Sequence, residues 1–262
     1  GEKVITDYGY EVLDLNGEPL PNEKMNPTYR SYYTWENPEI IFLFGNQGDV
    51  LELPLTRVYY SGDKGFTSYI PAVASDNLIR TYDLTDLRRD HYLMWEVIDY
   101  GYTPRYKKAV SKFEAVSNYN IEVSWNGGKW GVAFKVTEAY LNAAEGAAML
   151  YKETGNGEFQ IKAQALLDKL RVKRFSAAAF VSTDISAADE LIAFVRDERR
   201  RELCFENHRW FDLRRYGMEE IKHVWYDASE YVLEKNDPGF TLQLPNEAFE
   251  YNSGLEQNEP RK

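Results

Sequence analysis

The stretch Glu198-Arg199-Arg200-Arg201-Glu202-Leu203-Cys204-Phe205-Glu206-Asn207-His208-Arg209-Trp210-Phe211-Asp212-Leu213-Arg214-Arg215 decides how this chain is to be read. Glu198 and Glu202 stand one helical turn apart, with Arg199, Arg201 and Arg209 close in sequence. Two chemistries fit such a density of opposite charge. A glycoside hydrolase needs two acids flanking the bond it breaks, one of them still carrying its proton. An ion-pair lattice needs every acid matched by a base. Each acid here has an arginine near enough to hold it ionised, which disqualifies it as a proton donor. The lattice is the preferred reading, and Glu138, Glu145, Glu198, Glu202, Arg209 and Asp212 are its expected members. Such a network is costly to break in part.

Upstream of this stretch the residues repeat at helical spacing. Val132, Phe134, Val136, Ala139, Tyr140, Ala143, Ala144 and Ala147 mark one face of a helix running through Tyr151. Gly155-Asn156-Gly157 stops it with residues that tolerate a left-handed backbone. A second helix is predicted from Glu158 to Lys173, with Ile161, Ala165, Leu166 and Leu170 on one face. Ala143, Ala147 and Ala163 let the two axes approach, giving a helical hairpin of the tetratricopeptide kind. A third helix is predicted from Ala187 to Phe205, capped by Ser186, and a shorter one from Trp210 to Tyr216. Asp237-Pro238-Gly239 then turns the chain into its tail.

Residues 1–130 have another texture, rich in Tyr, Asn, Pro, Gly and Asp. Ile40 to Phe44 reads as a short strand and Glu11 to Leu15 as a second. The rest reads as ordered loop with a few helical turns. The expected organisation is an irregular, loop-rich lobe over 1–130 and a helical region over 131–262. The fold class is mainly α, with tetratricopeptide-like helical pairs, an irregular aromatic-rich loop lobe and a few short strands.

Composition removes several function classes. A net charge of -11 opposes nucleic acid, which needs a basic surface. It would equally repel an anionic membrane surface, but not a neutral polysaccharide. Even a strongly apolar cluster such as Ile40 to Phe44 falls far short of a membrane-spanning helix. Cys204 has no second cysteine to pair with and reads as a buried thiol. His91, His208 and His223 lack the spacing of a zinc helix. Asp83, Asp86, Asp90 and Asp99 do not match a twelve-residue calcium loop, so no cofactor is expected and bound calcium is unsupported. Twenty tyrosines and six tryptophans are many for this length. Most such rings fill a core, but rings with one wet end also suit sugar platforms.

Three motifs carry a family resemblance. Phe134 to Glu145 resembles the SusD/RagB helix that reads R-x-A-E-x-x-L-x-x-A-E-A, with Lys135 where the opening Arg is usual. Ala165 to Arg171 is similar to the A-x-x-x-[LIV]-N-x-[LIV]-R helix of that family. Glu198 to Arg215 resembles E-R-x-x-E-L-x-x-E-G-x-R-x-x-D-L-x-R, with Asn207 in place of Gly. Weaker matches are Glu36 to Phe42, Thr85 to Asp90, Leu244 to Glu247, and Gln257-Asn258 near the closing Q-N-P.

The resemblance implies the C-terminal portion of a surface glycan-binding lipoprotein, anchored by lipid to the outer membrane of a Bacteroidetes-type bacterium. It implies no catalysis, a glycan ligand, and a TonB-dependent SusC-like transporter as partner. It places part of the ligand surface in loops between the N-x-E-I-I-F strand and the D-x-R segment. In that interval and beside it, Tyr59, Tyr60, Tyr69, Trp95, Trp35 and Asp63 are the candidate glycan contacts. A helical-repeat scaffold that binds only protein, and a glycoside hydrolase using Glu198 and Glu202, remain the alternatives.

Overall fold

The computed structural model describes residues 2–18, 37–42, 74–99, 104–110, 134–224, 228–252 and 254–260, with backbone alone for 94–99 and 104–110. In chain order its helices are α1 (Glu2–Asp7), α2 (Asp76–Ile79), α3 (Arg88–His91), α4 (Val136–Thr154), α5 (Gly157–Arg171), α6 (Ala188–Glu202), α7 (His208–Arg215) and α8 (Asn246–Tyr251). Its strands are β1 (Ile40–Phe42), β2 (Leu93–Asp99), β3 (Pro104–Val110), β4 (Phe134–Lys135), β5 (Ile221–Val224) and β6 (Glu230–Leu233). They form three antiparallel two-stranded ribbons, β1–β4, β2–β3 and β5–β6. The fold is mainly α with a few short strands. It divides into two compact units, Gly1–Glu202 and Leu203–Lys262.

Local chemistry sets the helical hairpin. Gly155 takes φ 69°, and its N–H bonds the Tyr151 carbonyl, closing α4. Asn156 then accepts from the Glu158 N–H at 3.0 Å and opens α5. Two residues therefore end one helix and start the next, which forces them to run back to back. The buried faces are Val136, Ala139, Leu141, Ala144, Ala147 and Ala148 on α4, and Ala163, Leu166, Leu167 and Leu170 on α5. Ile161 and Ala165, expected on that face, are exposed instead. The stripe sits at 163, 166, 167 and 170, the spacing of one 3.6-period face. The pair also exposes Met149 and Leu150, and Leu150 lines an open groove of about 520 Å³ next to α1.

Glu11 to Leu15 is not a strand. Its backbone groups find unrelated partners one at a time: Glu11 N–H to the Pro38 carbonyl, Leu13 N–H to the Glu39 carboxylate, and Leu15 N–H to the Lys173 carbonyl. A segment satisfied this way needs no ladder. The third helix starts at Ala188, so Ser186 does not cap it; the Ser186 carbonyl accepts the Tyr151 hydroxyl instead. The β2–β3 ribbon and the β5–β6 ribbon have no counterpart in the sequence reading, because neither carries a two-residue turn signal.

Within the second unit, Asp237 caps a short 3₁₀ turn over Pro238–Phe240, and Trp210 stacks on buried Phe240 at 5.4 Å. Among the described residues no helix is long and apolar enough to cross a membrane.

Candidate functional site

The candidate centre begins in α6. Leu191, Val195, Glu198 and Glu202 follow one another at four, three and four residues, and all four are fully buried. The same face that starts apolar therefore ends in two carboxylates. Each must be matched inside the protein, because burying an unpaired charge is prohibitive.

The partners come from distant parts of the first unit. Arg174, just past α5, forks onto Glu202 through Nε and Nη2 at 2.9 and 2.8 Å. The same guanidinium reaches the Glu39 carboxylate and the Leu13 carbonyl. Arg88 holds Asp86 through two bonds of 2.9 and 2.7 Å and reaches Glu198 and Glu202 at 2.7 and 3.0 Å. Arg201 bonds Glu198 Oε2 at 2.7 Å and the Thr81 carbonyl at 3.1 Å. The Tyr92 hydroxyl donates to Glu202 at 3.2 Å. Lys135, buried at the start of α4, adds its charge to the surroundings of Glu202. Residues 13, 39, 86–92, 135, 174 and 198–202 are thus tied at one centre.

The electrostatics follow from this balance. Burial alone would raise the Glu198 carboxyl, but Arg88 and Arg201 reverse that and hold it at about 2. Burial opposes the Glu202 charge too, and Arg174 with Arg88 holds that carboxyl well below the ordinary range. Burial would weaken the Arg88 and Arg174 charges, and the surrounding carboxylates push both well above the usual arginine value. Burial and Arg174 drive His91 down to about 4, against the pull of Asp90. Glu198 and Glu202 are permanent anions at neutral pH, without a proton to give and without solvent access.

Glu145 pairs with Arg196 at 3.2 Å and Glu138 with Arg199 at 3.6 Å, both between α4 and α6. In the second unit, Asp212 pairs with Arg215 at 3.1 Å, and Arg209 lies half-buried in the first turn of α7. The sequence reading missed Glu39, Asp86, Arg88 and Arg174. The D-x-R spacing of Asp86 and Arg88 was the available signal. Arg174 carried none, since nothing local distinguishes it from a surface arginine.

Of the candidate glycan contacts, Trp35, Tyr59, Tyr60, Asp63 and Tyr69 lie outside the described residues. Trp95 stands in β2, in register opposite Lys108 of β3. A different aromatic pair is described in full. Phe42 and Phe134 face each other across β1–β4, ring centroids 6.2 Å apart, and both rings are exposed.

The structure also explains the motif residues that depart from the resemblance. Lys135 keeps a buried positive charge where Arg is usual. Asn207 adopts φ 65°, a left-handed conformation that Gly takes freely and Asn takes better than most residues. Gln257 clasps the tail, accepting from the Leu244 N–H at 2.8 Å and donating to its carbonyl at 3.0 Å. Asn258 adds a bond to the Leu242 carbonyl at 2.7 Å. These two amides act as a substitute strand.

Comparison with known proteins matches residues 84–260 to the SusD family. Among solved structures the chain is similar to a SusD-like protein from Bacteroides fragilis, with 20% identity and a TM-score of 0.65 over 97% of this chain and 59% of that one. It is similar to the surface glycan-binding protein A of Bacteroides thetaiotaomicron, with 16% identity and a TM-score of 0.63 over 99% and 57% of the two chains. It is also similar to a SusD-like carbohydrate binding protein from Bacteroides vulgatus, with 16% identity and a TM-score of 0.57 over 89% and 45%. The chain thus spans about half of the length of the structures it matches. No curated protein matches it.

Proposed function

The chain belongs to the SusD family, and on that premise we propose that it binds oligosaccharide or polysaccharide without cleaving it. It does so at the outer surface of the bacterial cell, held there by a lipid anchor, and passes the glycan to a TonB-dependent SusC-like transporter. Tyr59, Tyr60, Tyr69, Trp95, Trp35 and Asp63 are the proposed contacts, rings for the C–H faces of the sugar and polar groups for its hydroxyls. Family membership supports the ligand class. The observation that supports binding without hydrolysis is the locked state of the best acid pair. Glu198 and Glu202 are sealed from solvent and bonded to arginines, so neither serves as a general acid.

Native affinity gels cast with purified neutral polysaccharides test the binding, and a reducing-sugar assay on the same panel tests for cleavage. Retardation by at least one polysaccharide without release of reducing ends is expected. Glu198→Gln should lower the melting temperature and leave no rate to lose. Hydrolysis that disappears in Glu198→Gln at unchanged stability would show a glycosidase instead. Retardation by none of the polysaccharides would remove the glycan-binding reading.

A further inference from the structure

We propose that the ring pair Phe42–Phe134 is a sugar-stacking subsite, seating one pyranose unit of the glycan on its exposed face. The inference rests on the glycan-binding reading above and adds a site to it. Neither phenylalanine is among the contacts suggested by the sequence.

The first support is how the rings are held. Consecutive residues of a strand point to opposite faces. Lys135 points inward and is 4% exposed, while Phe134 next to it points outward and is 63% exposed. Glu39, just before the partner strand, is buried in the ionic centre, and Phe42 at that strand's far end is 53% exposed. The Val136 N–H bonds the Glu39 carbonyl at 2.8 Å, which ties the residue before β1 to the residue after β4. The inward side of this small ribbon is thus bolted to Arg174, while the outward side carries two aromatic rings. A platform fixed in this way loses little freedom when a ligand settles on it.

The second support is register. Ile40 pairs with Lys135 and Phe42 with Phe134, so two steps along β1 match one along β4. A slip of this kind re-aims side chains and is common beside binding sites. Here it sets Phe42 opposite Phe134, where an unbroken ladder from the Ile40–Lys135 pair would oppose Phe42 to residue 133. The rings tilt by 37°, which opens a shallow apolar trough rather than a closed stack. Such a trough fits the C–H face of a sugar ring, and the two rings that line it carry no charge.

The test compares wild type with Phe42→Ala/Phe134→Ala on affinity gels of amylopectin, galactan, mannan, xylan and β-glucan, with a thermal melt of each protein. The proposal expects several-fold weaker retardation in the double variant at an unchanged melting temperature. Phe134→Trp, which widens the platform, should be retarded at least as strongly as wild type. Equal retardation of wild type and double variant overturns this subsite and leaves the glycan-binding reading intact. A large fall in melting temperature of the double variant shows that the rings are covered by the chain itself, and also overturns it. Failure of every polysaccharide to retard wild type overturns both.

Discussion

Helices α5 and α6 have equal length and bury one face each, but the two faces are chemically opposite. In α5 the buried residues are Ala163, Leu166, Leu167 and Leu170. In α6 they begin as Leu191, Ile192 and Val195 and end as Glu198, Arg199, Arg201 and Glu202. An apolar face is non-directional and accepts any neighbour of the right shape. An ionic face works only with particular partners in particular places. The α5 face therefore makes a helix pack, whereas the α6 face fixes which distant segments of the chain must meet it.

The sharpest break of this comparison is Arg174→Ala. It leaves Glu202 and Glu39 short of their main partner inside the protein, and should cost about 3–5 kcal/mol. Urea unfolding measures it. Replacing both partners, as Arg174→Met/Glu202→Met, should cost less than the sum of the single changes, because the second change removes the charge that the first one stranded. Simple additivity would mean that the pair is not coupled.

Acid should separate the two faces next, since only one of them titrates. Glu198 has a folded value of about 2 against an ordinary 4.5. A carboxylate depressed on folding contributes stability above its unfolded value and loses it as pH falls through the folded one. Its share, about 3 kcal/mol, is complete above pH 4.5 and disappears toward pH 2. His91 acts earlier. The unfolded chain takes up its proton near 6.5 and the folded one only near 4, so stability falls as pH drops through that window. His91→Gln should flatten the slope between pH 6.5 and 4 and leave the deeper one in place. A slope unchanged in this variant would assign the mild-acid loss to other groups.

A shape-conserving exchange sharpens the contrast further. Glu202→Gln keeps the outline of the side chain but turns charge-assisted bonds into neutral ones, and should cost about 2 kcal/mol. Leu167→Met is a comparable change of shape on α5 and should cost less than about 1.5 kcal/mol. Equal costs would remove the distinction between the faces.

The two faces were also unequally legible. The hairpin could be read because its signals are local: a glycine that must stop a helix, an asparagine that can start one, and alanines at helical spacing. Even there the exact face was misjudged, since Ile161 is apolar yet exposed. The lattice could be read only in part. Glu198 and Glu202 announce a need for partners, but Arg174 and Glu39 lie 28 and 163 residues from Glu202 and meet it only after folding. The Phe42–Phe134 pair was illegible for the same reason, because register across 91 intervening positions depends on a one-residue slip.

The smallest effect belongs to a pair that looks like the lattice on paper. Lys152 of α4 meets Asp189 of α6 at 2.6 Å, with side chains 57% and 80% exposed. Its geometry is as good as that of Arg201 on Glu198, yet water surrounds it. In solvent the attraction is weak, ordering two mobile side chains opposes it, and salt screens what remains. Lys152→Met should therefore change stability by less than about 1 kcal/mol, and the difference should vanish in about 1 M salt. The Arg174→Ala loss should persist at the same salt, because ions do not enter the buried centre. Urea midpoints of both variants at low and high salt check this, and a salt-sensitive Arg174→Ala loss would mean that the lattice is wetter than its burial indicates.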